Sequence, residues 1–247
     1  MRYADIKIIF LSFLATVFFI TIGIPNVAHA DFQIDSPRFD QGALVFDSNN
    51  ATTFDHRRDF DHADGNLLDI SYGVTDWWQP TLQGEWDKSS NSPYKYNVTS
   101  AQNIFALSKA GEYWIDPGIE LNYNFSRTAH TPNAAEAKLL LEKTTRQFLN
   151  TANIIIDKDV GAGRASGADI ELVWKTEYLY TPMINPGFEY YGNINGTENI
   201  AHRRRIGPVF YGDFGHGISY ELGWLVGISS AAPDNTIKLN LSFEFPL

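Results

Sequence analysis

The chain reads as an all-β protein: a single antiparallel transmembrane β-barrel of about 12 strands, preceded by a cleavable signal peptide. Three observations carry that reading. The final residues alternate without a break, with Ile237, Leu239, Leu241, Phe243, Phe245 and Leu247 on one side and Lys238, Asn240, Ser242 and Glu244 on the other. A period of two belongs to a strand with one apolar and one wet face. The same alternation recurs upstream at regular intervals, and the chain opens with an export signal.

That signal has the expected three parts. Arg2 and Lys7 form a basic start, Ile8 to Ile24 an apolar stretch, and Ala28-His29-Ala30 a small-residue cleavage site. The apolar stretch falls short of the roughly 20 residues of a spanning helix, and Pro25 ends it. Cleavage after Ala30 leaves 17 basic and 28 acidic side chains, a net charge of -11. No second long apolar run follows, so helical spans are excluded. Residues 31–41 are then a short periplasmic N-terminal arm, and residues 42–247 the barrel.

Composition agrees. Mean hydropathy is slightly negative, yet 14% of residues are aromatic, and apolar residues are spread singly rather than in runs. There is no cysteine, so disulfides contribute nothing. The acidic balance argues against nucleic acid as a partner. No cofactor is expected.

Strand candidates follow in order. Gly42–Ser48 is the first. Leu67–Val74 follows, and Thr75-Asp76 turns it into Trp77–Asp87, where Trp78, Leu82 and Trp86 alternate with Gln79, Thr81, Gln83 and Glu85. Tyr96–Ser108 is less regular. Gly118–Ser126 is clean, with Ile119, Leu121, Tyr123 and Phe125 outward and Glu120, Asn122 and Asn124 inward. Ala137–Phe148 and Ala152–Val160 come next. Ala168–Tyr180 sets Ile170, Leu172, Trp174, Tyr178 and Tyr180 against Asp169, Glu171, Lys175 and Glu177. Gly187–Ile194, Arg204–Gly212, Ile218–Ile228 and the terminal strand complete twelve. Connections alternate between long polar and short, the long ones extracellular if both termini are periplasmic. Strands of ten residues suit a tilted bilayer crossing, whereas those of a soluble sandwich run about 5–6. Tyr72, Trp77, Trp78, Tyr113, Trp114, Tyr178, Tyr180, Tyr190 and Tyr191 cluster near strand ends, as interfacial girdles do.

The segment Leu68-Asp69-Ile70-Ser71-Tyr72-Gly73-Val74-Thr75-Asp76-Trp77-Trp78, with Leu82 and Gly84 after it, resembles the hairpin of a family of outer-membrane channels labelled "MetA-pathway of phenol degradation". The hairpin covers about a tenth of the chain. The resemblance implies a barrel and transport of small hydrophobic or aromatic molecules, and assigns no catalytic residue. This chain ends Pro246-Leu247 where barrels typically end in Phe, so recognition by the barrel assembly machinery would rest on Phe243 and Phe245.

Three clusters carry possible chemistry. His56 and His62 sit in a near-repeat, Phe54-Asp55-His56 and Phe60-Asp61-His62, but Arg57 and Arg58 between them favour a solvated loop over a metal site. His216 and Ser219 are the nearest approach to a nucleophile and its base, at a periplasmic turn with nothing to orient the histidine. Arg203, Arg204 and Arg205 alternate faces on a strand, so at least one points inward toward Glu171, Glu177, Glu189 or Glu221.

The functional expectation is a passive channel for a small-molecule solute in the cell outer membrane, in contact with its lipids and lipopolysaccharide. A structural or adhesive barrel with a closed lumen and a lipid-modifying enzyme are the alternatives. Glu120, Asp169, Glu171, Lys175, Glu177, Glu221, Lys238 and Glu244 are the expected pore-lining residues, and their carboxylates would favour cations.

Overall fold

Alternating sequence in water-free surroundings has one stable outcome. Lipid cannot satisfy a free sheet edge, so the strands must close on themselves. The computed structural model describes residues 32–90, 92–164, 166–195 and 202–246; the expected signal peptide lies outside the described residues. Twelve antiparallel strands form a closed barrel in simple up-and-down order. They are β1 (Ala43–Phe54), β2 (Asp64–Tyr72), β3 (Trp78–Lys88), β4 (Lys95–Ala106), β5 (Asp116–Ser126), β6 (Asn133–Thr145), β7 (Phe148–Val160), β8 (Asp169–Tyr178), β9 (Asn185–Asn195), β10 (Arg204–Gly215), β11 (Ile218–Gly227) and β12 (Asn235–Pro246). β12 closes onto β1 over a register running from Ala43 opposite Pro246 to Phe54 opposite Asn235.

The outer face is apolar and the inner face polar. Leu121 and Leu222, both mid-strand, are 49% and 46% exposed, while Glu120, Asn122, Lys138, Thr151, Asn153 and Asn240 are buried. Aromatic rings mark both rims: Trp77, Tyr113, Trp114, Tyr180 and Phe214 at the end where the chain termini enter, Phe54, Tyr94, Tyr96 and Phe125 at the other.

Several expected boundaries move, and two of the moves are instructive. β1 continues through Asn49-Asn50-Ala51-Thr52-Thr53, a polar run that reads as loop; its inner-face members Asn49, Ala51 and Thr53 are buried, because polarity on that side is what a wet interior selects. The turn expected at 149–151 sits instead at Arg146-Gln147, with Arg146 left-handed (φ 56). A larger difference concerns the N-terminal arm. Residues 32–41 are not outside the barrel. They rise from the terminal rim into the lumen, touching strands on every side of it.

Candidate functional site: the lumen and the segment that fills it

The contacts of residues 32–38 leave no other location. Arg38 pairs with Asp116 on β5 and, at 2.9 Å, with Glu142 on β6. Asp35 accepts from Lys138 Nζ on β6 at 2.8 Å, its backbone N–H donates to Asn153 Oδ1 on β7, and its carbonyl accepts from Asn153 Nδ2. Gln33 Nε2 donates to Asp69 Oδ2 on β2 at 2.8 Å. The Phe32 carbonyl accepts from Lys238 Nζ on β12 and lies 3.1 Å from Tyr191 Oη on β9. A short peptide that reaches β2, β5, β6, β7, β9 and β12 is encircled by the barrel.

Its tip sits in the apolar part of the lumen. Phe32 and Ile34 pack with Ala51, Ile155, Val173, Tyr191, Val209, Tyr211 and Leu225. The Phe32 ring meets Tyr191 edge-on at 5.3 Å, and the Arg205 guanidinium lies over its face at 4.9 Å. At its base, the Pro37 Cβ lies 2.6 Å from where a Cβ on Gly118 would stand, so a side chain at 118 fits only if the peptide shifts.

Around this peptide the wall carries a polar network. Lys238, fully buried, donates to Glu189 Oε1 at 2.8 Å and Glu221 Oε2 at 3.0 Å. Lys175 reaches the other Glu221 oxygen at 3.4 Å and lies 5.3 Å from the Tyr211 ring centroid. Tyr191 and Tyr211 hydroxyls donate to the two Glu189 oxygens. Of the residues expected from sequence, Lys175, Glu221 and Lys238 thus come together in one cluster. Glu177 stands apart, accepting from Asn185 Nδ2 at 2.7 Å. Glu120 is buried beside Lys138, at 3.2 Å. Asp169 and Glu171 are half-buried on β8, Asp169 directly opposite Asp157. Glu244 is half-buried near the terminal rim, opposite Val45.

A crevice of about 190 Å³ remains between the peptide and β1, β11 and β12. Gln33, Asp35, Asp47, Asn49, Glu221 and Asn240 are among its lining residues. Asp47 faces Asp69 directly across the β1–β2 pair.

Sequence reasoning missed several of these residues. Position in the sequence makes residues 31–41 an outside arm, although Phe32 and Ile34 alternate with Gln33 and Asp35 just as strand residues do. Tyr191, expected in the rim girdle, is buried in the lumen, 2% exposed. Tyr190 and Tyr191 are neighbours on one strand and must face opposite ways, so only one could ever have joined the girdle. Of the arginine triplet, Arg205 points inward as alternation requires, its guanidinium over the Phe32 ring at 4.9 Å.

The other two clusters make no reactive centre. His216 sits on the β10–β11 turn with φ 59, Ser219 lines the crevice, and no hydrogen bond joins them. His56 and His62 diverge. His62 pairs with Asp61 at 2.9 Å, while His56 Nδ1 lies 2.7 Å from Asp234 Oδ2. Asp55, His56 and Asp234 bring three ligand-type atoms together. However, Asp55 accepts at one oxygen from Arg57 N and Nε and at the other from Arg57 Nη2 and Asp234 N. All four acceptor positions of the carboxylate are taken by protons. The cluster is a clasp between the β1–β2 and β11–β12 loops.

Known structures share this architecture. The chain is similar to the COG4313 outer membrane channel from Pseudomonas putida F1, with a TM-score of 0.63 and 10% identity over 85% of this chain and 98% of that one. It is also similar to the NanC porin, with a TM-score of 0.55 and 11% identity over 80% of this chain and 98% of that one. The fold is that of outer-membrane channel barrels. No family model matches the sequence, and no curated protein matches it.

Proposed function

We propose that the protein is a passive channel of the outer membrane for small solutes, with a preference for cations. One observation carries this reading: the bore admits an extended peptide with its side chains. Eight-stranded barrels are filled by their own wall residues, and 16-stranded ones hold a wide aqueous channel; twelve strands lie between. A lumen that accommodates residues 32–41 has the width for a small molecule when that space is free.

The lining supports the cation preference. Asp47, Asp69, Glu85, Asp87, Asp169, Glu171, Glu177, Glu221 and Glu244 lie on inner-facing positions, and rings of carboxylates favour cations. Lys175 and Lys238 weaken it locally. The hairpin likeness adds small aromatic or hydrophobic molecules as a solute class, and the apolar seat of the Phe32 ring is a place such a molecule could rest. In this reading a leader over residues 1–30 exports the chain, the barrel assembly machinery inserts it, and its apolar belt meets lipid and lipopolysaccharide.

The second reading, a structural barrel with a closed lumen, draws on the same peptide, which reaches strands on all sides of the interior. Planar-bilayer recordings in a salt gradient separate the two. Defined unitary currents with a cation-biased reversal potential are expected. A folded barrel that stays silent both with and without residues 32–40 replaces the channel by the structural reading.

A further inference from the structure

We infer that the lumen contains a binding groove for an extended peptide, and that residues 32–41 are its built-in ligand: a removable plug whose departure opens the bore. This rests on the channel reading and says what regulates it.

Several features distinguish this segment from a thirteenth structural element. It adds no strand to the sheet, which is already closed through β12 and β1. It is held instead by wall side chains, which meet its own side chains and its backbone at Phe32 and Asp35 at spaced points along its length. The anchors are Arg38 on Asp116 and Glu142, Asp35 on Lys138 and Asn153, Gln33 on Asp69, and Phe32 in its apolar seat. Spaced side-chain pockets along an extended chain are how proteins read peptides. Among the described residues the segment runs into the wall through Gly42, which takes φ 83 before β1 starts. Removing the peptide therefore breaks no ladder hydrogen bond of the barrel. It hydrates Asp35, Asp69, Asp116 and Glu142, charged groups that water serves well.

The groups left behind also fit a wetted channel. Lys138 keeps Glu120 and Glu136, at 3.2 and 3.5 Å. Lys238 keeps Glu189 and Glu221. Each wall lysine thus retains a wall carboxylate once the plug is gone, so the empty bore carries no stranded lysine. For the wall lysines the segment is supernumerary; its own charge contribution is Arg38, which meets Asp116 and Glu142.

Two full-length and one shortened form test the inference by single-channel recording. A chain lacking residues 32–40 is expected to fold, by heat-modifiable gel mobility, and to conduct severalfold more than the full chain. A synthetic peptide covering residues 31–41, added to the shortened form, is expected to block it, whereas a scrambled peptide does not. The cysteine-free background allows a staple, Pro37→Cys with Gly118→Cys. Those Cβ positions lie 2.6 Å apart, and a relaxation of about 1 Å reaches disulfide geometry. The oxidised staple is expected to hold conductance at its low level, and reductant to release openings. If the full chain, the shortened chain and the oxidised staple conduct alike, the plug is overturned and the channel stands. If the folded shortened chain is silent, the channel reading itself falls.

Discussion

The two halves of the barrel wall balance their charge in different ways. On β8 to β12, carboxylate and ammonium come as neighbours: Glu189 and Glu221 share Lys238, and Lys175 takes the second oxygen of Glu221. On β1 to β5 the basic residues are only Lys88 and Lys95, both at the loop rim. That half nevertheless places Asp47, Asp69, Glu85, Asp87, Asp116 and Glu120 on inner positions. Glu120 meets Lys138 on the neighbouring β6; others are met by amides, as when Asp69 accepts from Gln33 and Asn49 and Asp87 from Asn97, or by the plug, as when Arg38 meets Asp116. The first half is self-compensated and holds its shape. The β1–β5 half takes part of its compensation from the segment in the lumen, through Arg38 and Gln33, and that is the side where selectivity should reside.

The largest expected effect comes from breaking the self-compensated half. Lys238→Met strands Glu189 in a dry site, and losing one partner of a buried pair costs about 3–5 kcal/mol. Adding Glu189→Gln should return most of that loss, since Lys175 still serves Glu221. Urea unfolding of the barrel in lipid vesicles reads both variants. A Lys238→Met barrel as stable as wild type would mean that the cluster is hydrated and the two halves are alike.

Outside, the halves should not differ. Leu121 on β5 and Leu222 on β11 both sit mid-strand on the apolar face, so arginine at either is expected to cost about 2–4 kcal/mol near the bilayer midplane. The same vesicle unfolding measures it. Tolerance of arginine at both, with intolerance at Glu120 and Glu221, would invert the facing of the whole wall.

Selectivity is the third and smaller effect. Asp47→Asn with Asp69→Asn should shift the reversal potential toward zero in a salt gradient, because this half lacks lysines to offset what is lost. Glu221→Gln should shift it less, since two lysines already screen that carboxylate. Equal shifts would erase the distinction between the halves.

The sheet was legible because its rule is local. Twelve strands and their facing follow from a period of two, read residue by residue, and the lysine–glutamate cluster follows once facing is known. The plug was not legible, because every contact that defines it is remote: Asp35 meets Asn153, and Phe32 meets Lys238, across most of the chain. Nothing near Pro37 announces an interior. A clue existed all the same. Phe32 and Ile34 alternate in a stretch that, as a free arm, would have left two large apolar side chains in water. The extent of β1 was hidden for the opposite reason. Asn49-Asn50-Ala51-Thr52-Thr53 looks like a loop on any scale that equates strand interior with apolarity, and a wet lumen reverses that equation.

The two halves meet at the β1–β12 seam, and the clasp above it gives the smallest expected effect. Arg57 forks onto Asp55 and also donates to the Ser230 and Ala232 carbonyls, at 2.8 Å each. It thereby ties the loop after β1 to the loop before β12. The Arg57 guanidinium is the main reason that Asp55 is drawn down to about 2 from its ordinary 3.8. A carboxyl depressed by folding stabilises the folded form above its unfolded value, and that contribution fades as pH falls from about 4 toward 2. Arg57→Ala should therefore speed amide exchange in residues 55–63 and 228–234 and ease tryptic cutting after Arg58. Because the pair sits outside the membrane, its loss should cost the barrel no more than about 1 kcal/mol. In the wild type the same loosening should appear on acidification below pH 4, while in Arg57→Ala the exchange rates, corrected for their intrinsic pH dependence, should show little further change. If Arg57→Ala instead lowered barrel stability as much as Lys238→Met, the clasp would be a closure element of the seam, and the wall would depend on its loops.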